Sequence, residues 1–168
     1  LNDKYVSEDW LNEFESLAEK NNIACVALPF PQGIKFSHNL KYEVRIPLSS
    51  LDWYALIKYS KAYIGNNMHP IVVCLHNGIP CISFDNYGLK KYRFFTDKKS
   101  SKIYHIMNKF NILEYHFRVR NKLNLTPSPS HLLNLIQSFP TKQVKLESVA
   151  TLQEYNTMMN EILNIVKQ

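Results

Sequence analysis

The chain has 168 residues, enough for one domain with a sizeable core, and its 45% hydrophobic and 20% charged content excludes a disordered or low-complexity protein. A formal charge of +6 suits anionic ligands, while only 4 Gly leave little material for a glycine-rich phosphate loop. The three cysteines, Cys25, Cys74 and Cys81, lie in apolar runs without CxxC spacing, which excludes a disulfide framework and a zinc motif and fits reduced, buried thiols in a cytoplasmic protein.

Ser7 caps a predicted helix in which Trp10, Leu11, Phe14, Leu17 and Ala18 fall at helical spacing, ending near Asn21-Asn22. Ile23 to Leu28 reads as a short apolar strand, and Pro29 to Tyr42 as a loop carrying Lys35, His38 and Lys41. Glu43 to Ile46 reads as a brief strand. Ser50 is then an N-cap candidate for a helix with Asp52 in its first turn. From Lys61 to Gly88 the chain reads strand, turn, helix, turn, strand: Tyr63-Ile64-Gly65, the turn from Asn66 to Pro70, an apolar helix from Ile71 to His76, the Asn77-Gly78 stop, and a strand from Ile79 to Phe84. A basic and aromatic stretch follows, with Lys90, Lys91 and Arg93. Asp97 or Ser100 starts a helix running to Phe110, and Asn111 to Arg120 holds a short strand or helical turn around Ile112-Leu113. A Pro/Ser turn at Thr126–Ser130 introduces a helix from His131 to Ser138. Residues 148–167 carry one apolar helical face. No apolar run approaches the roughly 20 residues that span a bilayer, and the polar N-terminus has no signal-peptide pattern.

Helix-then-strand alternation is α/β grammar, and in open α/β sheets ligands bind where strand C-termini meet helix N-termini. That edge here carries Asn66, Asn67 and His69. The N–H groups of a helix start favour an anion there, and histidine is the side chain that titrates near neutral pH. His69 and His76 are spaced wrongly for a zinc pair on one helix. Asp85 and Tyr87 stand after the second strand, where an Asp can orient a hydroxyl and a Tyr can stack on a sugar ring.

The run Ile64-Gly65, Asn66 to His69, Ile71 to His76, Gly78-Ile79-Pro80 and Cys81 to Phe84, preceded by Pro47-Leu48-Ser49, resembles the C-terminal half of the polysaccharide pyruvyl transferase family. The resemblance covers Ile23 to about Gly88. It implies a single Rossmann-like three-layer α/β domain over residues 1–168, with a mostly parallel sheet, forming the C-terminal half of a glycosyltransferase-B-like enzyme whose N-terminal half is absent from this chain. It further implies transfer of the pyruvyl group of phosphoenolpyruvate onto a glycan or lipid-linked oligosaccharide as a ketal, in bacterial exopolysaccharide and cell-envelope biosynthesis. His69 is then the catalytic residue and a donor ligand. Asn66, Asn67, Lys90 and Lys91 also bind the donor, and Asp85 and Tyr87 face the acceptor. No cofactor and no metal are expected, and the location is cytoplasmic or membrane-peripheral. The family commonly carries Arg two residues before the His, where this chain has Asn67, so Lys90, Lys91 or Arg93 would have to supply the missing charge.

Two other readings stand beside this one. A nucleotide-sugar-binding domain of a glycosyltransferase-B enzyme would want a ribose-binding carboxylate after a Gly-rich turn. A noncatalytic basic module would use the lysines from Lys90 to Lys109, interleaved with Tyr92, Phe94, Phe95 and Tyr104, to hold single strands. The lysines fit a solvated basic face better, and no nucleic-acid partner is expected.

Overall fold

The computed structural model describes residues 5–28, 40–44, 46–85, 101–119 and 126–166, and the elements are built from these. Helix α1 (Glu8–Lys20) starts where expected, with the Ser7 hydroxyl accepting the Trp10 N–H at 3.2 Å, and it buries Leu11, Phe14 and Ala18. It stops at Asn21, followed by Asn22 at φ 56, a left-handed conformation that Asn tolerates. Strand β1 (Val26–Ala27) pairs in parallel with β2 (Tyr42–Glu43), both shorter than the apolar runs suggested. Helix α2 (Ser50–Lys58) is capped one residue earlier than the expected Ser50. Ser49 and Asp52 form a reciprocal capping box, in which the Asp52 carboxylate accepts the Ser49 N–H at 2.9 Å.

The central unit follows as β3 (Tyr63–Gly65), α3 (Met68–Asn77) and β4 (Cys81–Asp85). Gly78 ends α3 at φ 65, and a Cβ at this position would also meet the Lys145 side chain at 2.5 Å. Strand β4 starts and ends later than Ile79 to Phe84. Then come α4 (Lys102–Lys109), capped by Ser101, a 3-10 turn at Leu113–Tyr115, β5 (His116–Arg118), α5 (Pro129–Ser138), capped by Ser128, and α6 (Thr141–Val166).

Strands β3, β4 and β5 form one parallel sheet with β4 in the centre, all five of its residues buried. The register sets Gly65 beside Ser83, Ser83 beside His116 and Asp85 beside Arg118. Side chains alternate across the sheet. Phe84 and Phe117 lie on one face, where Phe84 meets Tyr5 at 6.2 Å between ring centres and Phe117 meets His131 of α5 at 6.3 Å. Cys81, Ser83 and Asp85 lie on the other, under α3 and α4: the Cys81 thiol contacts Cys74, and the Ser101 hydroxyl donates to Asp85. Helices α2, α4 and α6 flank α3, while α1 packs on α5. Parallel strands covered by helices on both faces make this the Rossmann-like α/β domain expected from the sequence.

Residues after the central unit pack back on the N-terminal segment. The Trp10 indole donates to the Pro127 carbonyl at 2.7 Å, and the Thr126 hydroxyl donates to the Tyr5 carbonyl at 2.7 Å. Helix α6 begins seven residues before the apolar stripe expected from residue 148, since Val144 is already buried. Its later apolar side chains, among them Leu152, Tyr155, Met158 and Ile162, are exposed. Among the described residues no helix is long and apolar enough to cross a membrane.

Candidate functional site

Three strand ends and one helix start share the C-terminal edge of the β3–β4–β5 sheet. Asn66 follows β3, and Asn67 is the N-cap of α3 with no hydrogen bond from its side chain to the helix. His69 lies in the first turn of α3 and is exposed. Pro70 beside it has no N–H, and its fixed φ suits a helix start. The first N–H groups of any helix lack partners within it, so this edge presents donors and a partial positive charge.

The turn is held from below. The Tyr63 hydroxyl is hydrogen-bonded to the backbone of Asn67, and burial pushes that phenol well above its ordinary pKa, so it stays protonated. Its ring lies across Gly65, where an added Cβ would stand 2.1 Å from the Tyr63 hydroxyl oxygen. A side chain at position 65 would therefore displace the ring that supports the turn. Asn66 is hydrogen-bonded to the Tyr5 hydroxyl. Burial raises the Tyr5 pKa, and the Asp85 charge raises it further, which sets Tyr5 within electrostatic reach of both strand ends.

Asp85 does not stand in a loop, as expected from the sequence. It is the last residue of β4, 6% exposed, with its carbonyl accepting the Val119 N–H at 3.0 Å. Extension of the parallel ladder to Arg118 draws Asp85 into the sheet. Its carboxylate accepts the Ser101 hydroxyl on Oδ2, and His116 Nε2 approaches the same oxygen at 4.0 Å. The other His116 nitrogen, Nδ1, is 2.6 Å from the Ser83 hydroxyl. The sheet thus brings Ser83, Asp85, Ser101 and His116 together, a grouping that the sequence reading did not find. Only the register could reveal it, because Ser83 and His116 are 33 residues apart. It is no nucleophilic triad. Ser83 is fully buried in mid-strand among the described residues, and the imidazole meets it through Nδ1.

Burial pushes the His116 imidazole below its ordinary 6.5, with Asp85 opposing and Arg118 adding to the depression. As pH falls through about 6.5 the unfolded chain takes up this proton before the folded one, so stability declines on the acid side. Urea unfolding at stepped pH should therefore show the wild type losing stability relative to His116→Gln below about pH 6.5. Parallel pH profiles would contradict the assignment.

The site residues expected from the sequence thus separate. Asn66, Asn67, His69 and Asp85 share one edge of the sheet. Lys90, Lys91 and Tyr87 lie outside the described residues, as does Arg93. Of the lysines from Lys90 to Lys109, Lys102 and Lys109 are described, and Lys109 pairs with Glu154 at 2.7 Å. Behind the turn, between β1 and β3, is a cavity of about 530 Å³ lined by Cys25, Leu28, Trp53, Ile64 and Ile136 and reaching Asn66 and Asn67 at one end. Its apolar walls do not suit an anion. Cys74 and Cys81 are both buried, and their mutual contact followed by burial pushes the Cys74 thiol far up, so it is not a nucleophile.

Comparison with protein-family models matches residues 2–87 to Polysaccharide pyruvyl transferase, just over half of the 168-residue chain. The match takes in α1 to β4 and ends two residues beyond Asp85. No curated protein and no solved structure matches significantly.

Proposed function

Since the chain belongs to the polysaccharide pyruvyl transferase family, we propose that it forms the donor-binding half of an enzyme that moves the pyruvyl group of phosphoenolpyruvate onto a glycan as a ketal. The family implies a glycan acceptor. The supporting observation is the placement of Asn66, Asn67 and the exposed His69 at the C-terminal end of β3 and the start of α3, inside the matched region. In this reading the chain forms one wall of a glycosyltransferase-B-like cleft, and an N-terminal half forms the other.

The overall chemistry sets what the site must supply. Phosphoenolpyruvate and two sugar hydroxyls give a ketal and hydrogen phosphate. One hydroxyl proton ends on the methylene carbon, which becomes a methyl group, and the other leaves with the phosphate. Both sugar oxygens bond to the central carbon as its bond to the phosphate oxygen breaks. The donor is a carboxylate and a phosphate, for which helix N–H groups and the Asn66 and Asn67 amides are suitable partners. His69 reaches the same anion from the first turn of α3 and acts as the general acid toward the methylene carbon. Lys90 and Lys91 add phosphate contacts. Asp85, at the tip of β4, takes an acceptor hydroxyl, and Tyr87 stacks on the sugar.

Asn67 is the position to test. An Asn donates a hydrogen bond but carries no charge, whereas Arg meets a carboxylate or phosphate through two N–H groups. Asn67→Arg in the intact enzyme should tighten phosphoenolpyruvate binding about tenfold, measured by calorimetry, with a salt dependence steeper than that of the wild type. An unchanged affinity would mean that the donor sits elsewhere.

A further inference from the structure

Half of the cluster on the α4 side of the sheet lies beyond the family match: Ser83 and Asp85 fall inside residues 2–87, while Ser101 and His116 fall outside. The His116 side chain is 2% exposed, and among the described residues its Nε2 has no hydrogen-bond partner although it is buried. A buried donor or acceptor left in this way is costly, and a purely structural pair of positions on β4 and β5 would be filled more cheaply by apolar side chains. The cost falls at the C-terminal ends of parallel strands, where α/β sheets bind ligands.

The tautomer follows from the neighbours. If the hydrogen were on Nδ1, the bare Nε2 lone pair would face the Asp85 carboxylate at 4.0 Å. If Ser83 donates to Nδ1, the hydrogen sits on Nε2 and points toward the negative charge. The second arrangement is electrostatically favoured. The groups facing this imidazole, among the described residues, are Asp85 and Ser83 on β4, Arg118 on β5, and Tyr104 on α4 with its ring centre 6.1 Å away. A separation of 4.0 Å is longer than a hydrogen bond, as is common for functional contacts before substrate is bound.

We propose that His116 is a positioning residue for the acceptor: fixed by Ser83, it presents Nε2–H to Asp85 and, with Ser101, holds that carboxylate to receive an acceptor hydroxyl, the contact shortening when the acceptor binds. This rests on the reading of Asp85 as an acceptor-side group. Ser101 and His116 both approach Oδ2, so they hold the carboxylate by that oxygen. The network reaches the reaction through Asp85, and it borders the donor turn through the pairing of Ser83 with Gly65 and through Tyr5, which is hydrogen-bonded to Asn66 and feels the Asp85 charge.

Two substitutions separate this role from simple packing. His116→Gln keeps a donor at the reach of Nε2, and His116→Asn keeps a partner for Ser83 but falls short of Asp85. In the full-length enzyme with phosphoenolpyruvate and a glycan acceptor, His116→Asn should raise the acceptor KM about tenfold and leave the donor KM unchanged, and His116→Gln should recover most of the loss. Equal behaviour of the two variants, or a loss confined to the donor KM, overturns the proposal. Should His116→Asn fail to fold, Ser83→Ala removes the partner that fixes the tautomer, and the same acceptor-side loss is expected. An activity-independent reading comes from the ¹⁵N spectrum of His116, in which the hydrogen should sit on Nε2 and that resonance should move in Asp85→Asn. A hydrogen on Nδ1, or an Nε2 indifferent to Asp85→Asn, overturns it. A wild type that does not turn over phosphoenolpyruvate overturns the functional reading, and the ¹⁵N spectrum then decides the His116–Asp85 coupling alone.

Discussion

Replacing His69 by alanine is expected to lower kcat for pyruvyl transfer by about 10²–10⁴-fold, the usual loss when a positioned proton donor is removed. The expectation rests on its position. His69 is exposed in the first turn of α3, so its ring contributes nothing to the core, and nothing in the packing requires an imidazole there. The thermal unfolding midpoint should accordingly stay close to that of the wild type. His69→Gln should restore part of the donor affinity through its amide and none of the proton transfer, which separates binding from chemistry in the KM and kcat values. A loss of less than about tenfold in kcat for both variants would remove His69 from the chemistry.

The largest effect on stability is expected at Phe84. Its side chain is fully buried in the central strand β4, between Tyr5 at 6.2 Å and Phe117 at 5.8 Å from ring centre to ring centre. Phe84→Ala removes the ring and leaves a cavity that the flanking strands, tied by their ladders to β4, cannot close. The cost should be about 3–5 kcal/mol. Against a total stability of roughly 5–15 kcal/mol for a domain, this is enough to bring it near unfolding. Urea denaturation gives the number directly, and a change below about 1 kcal/mol would show that the Phe84 layer is not the centre of the core.

The central strand-helix-strand unit was legible because its signals are local. Tyr63-Ile64-Gly65 and the buried run into Phe84 read as parallel strands, Gly78 marks the helix end, and Ser7 and the Pro/Ser turn announce helix starts. The misplacements are also local. Ser49 and Ser50 are adjacent and either can cap, and only the reciprocal bond with Asp52 selects Ser49. Asp85 read as a turn residue because Asp favours turns, but the backbone ladder to β5 keeps it in the strand. The short β5, HFR, offers too few residues for an alternation to be seen, so the strand or helical turn expected within Asn111 to Arg120 was centred on Ile112-Leu113, and the polar face that β5 completes could not be read. Ser83 was hidden inside an apolar run for the same reason: its partner His116 arrives only through the sheet register. Half of the candidate site, the donor turn, was therefore visible in one stretch of sequence. The other half depends on pairing between distant strands.

The central claim is that the turn from Asn66 to His69 binds the phosphoenolpyruvate donor. Its most direct test is a titration of the full-length protein with phosphoenolpyruvate, following the ring resonances of His69 by NMR. The account predicts a saturable shift of the His69 signals that inorganic phosphate competes away, with His76, exposed at the far end of α3, unaffected. A His69 signal that does not move while phosphoenolpyruvate binds elsewhere, or does not bind at all, would contradict it.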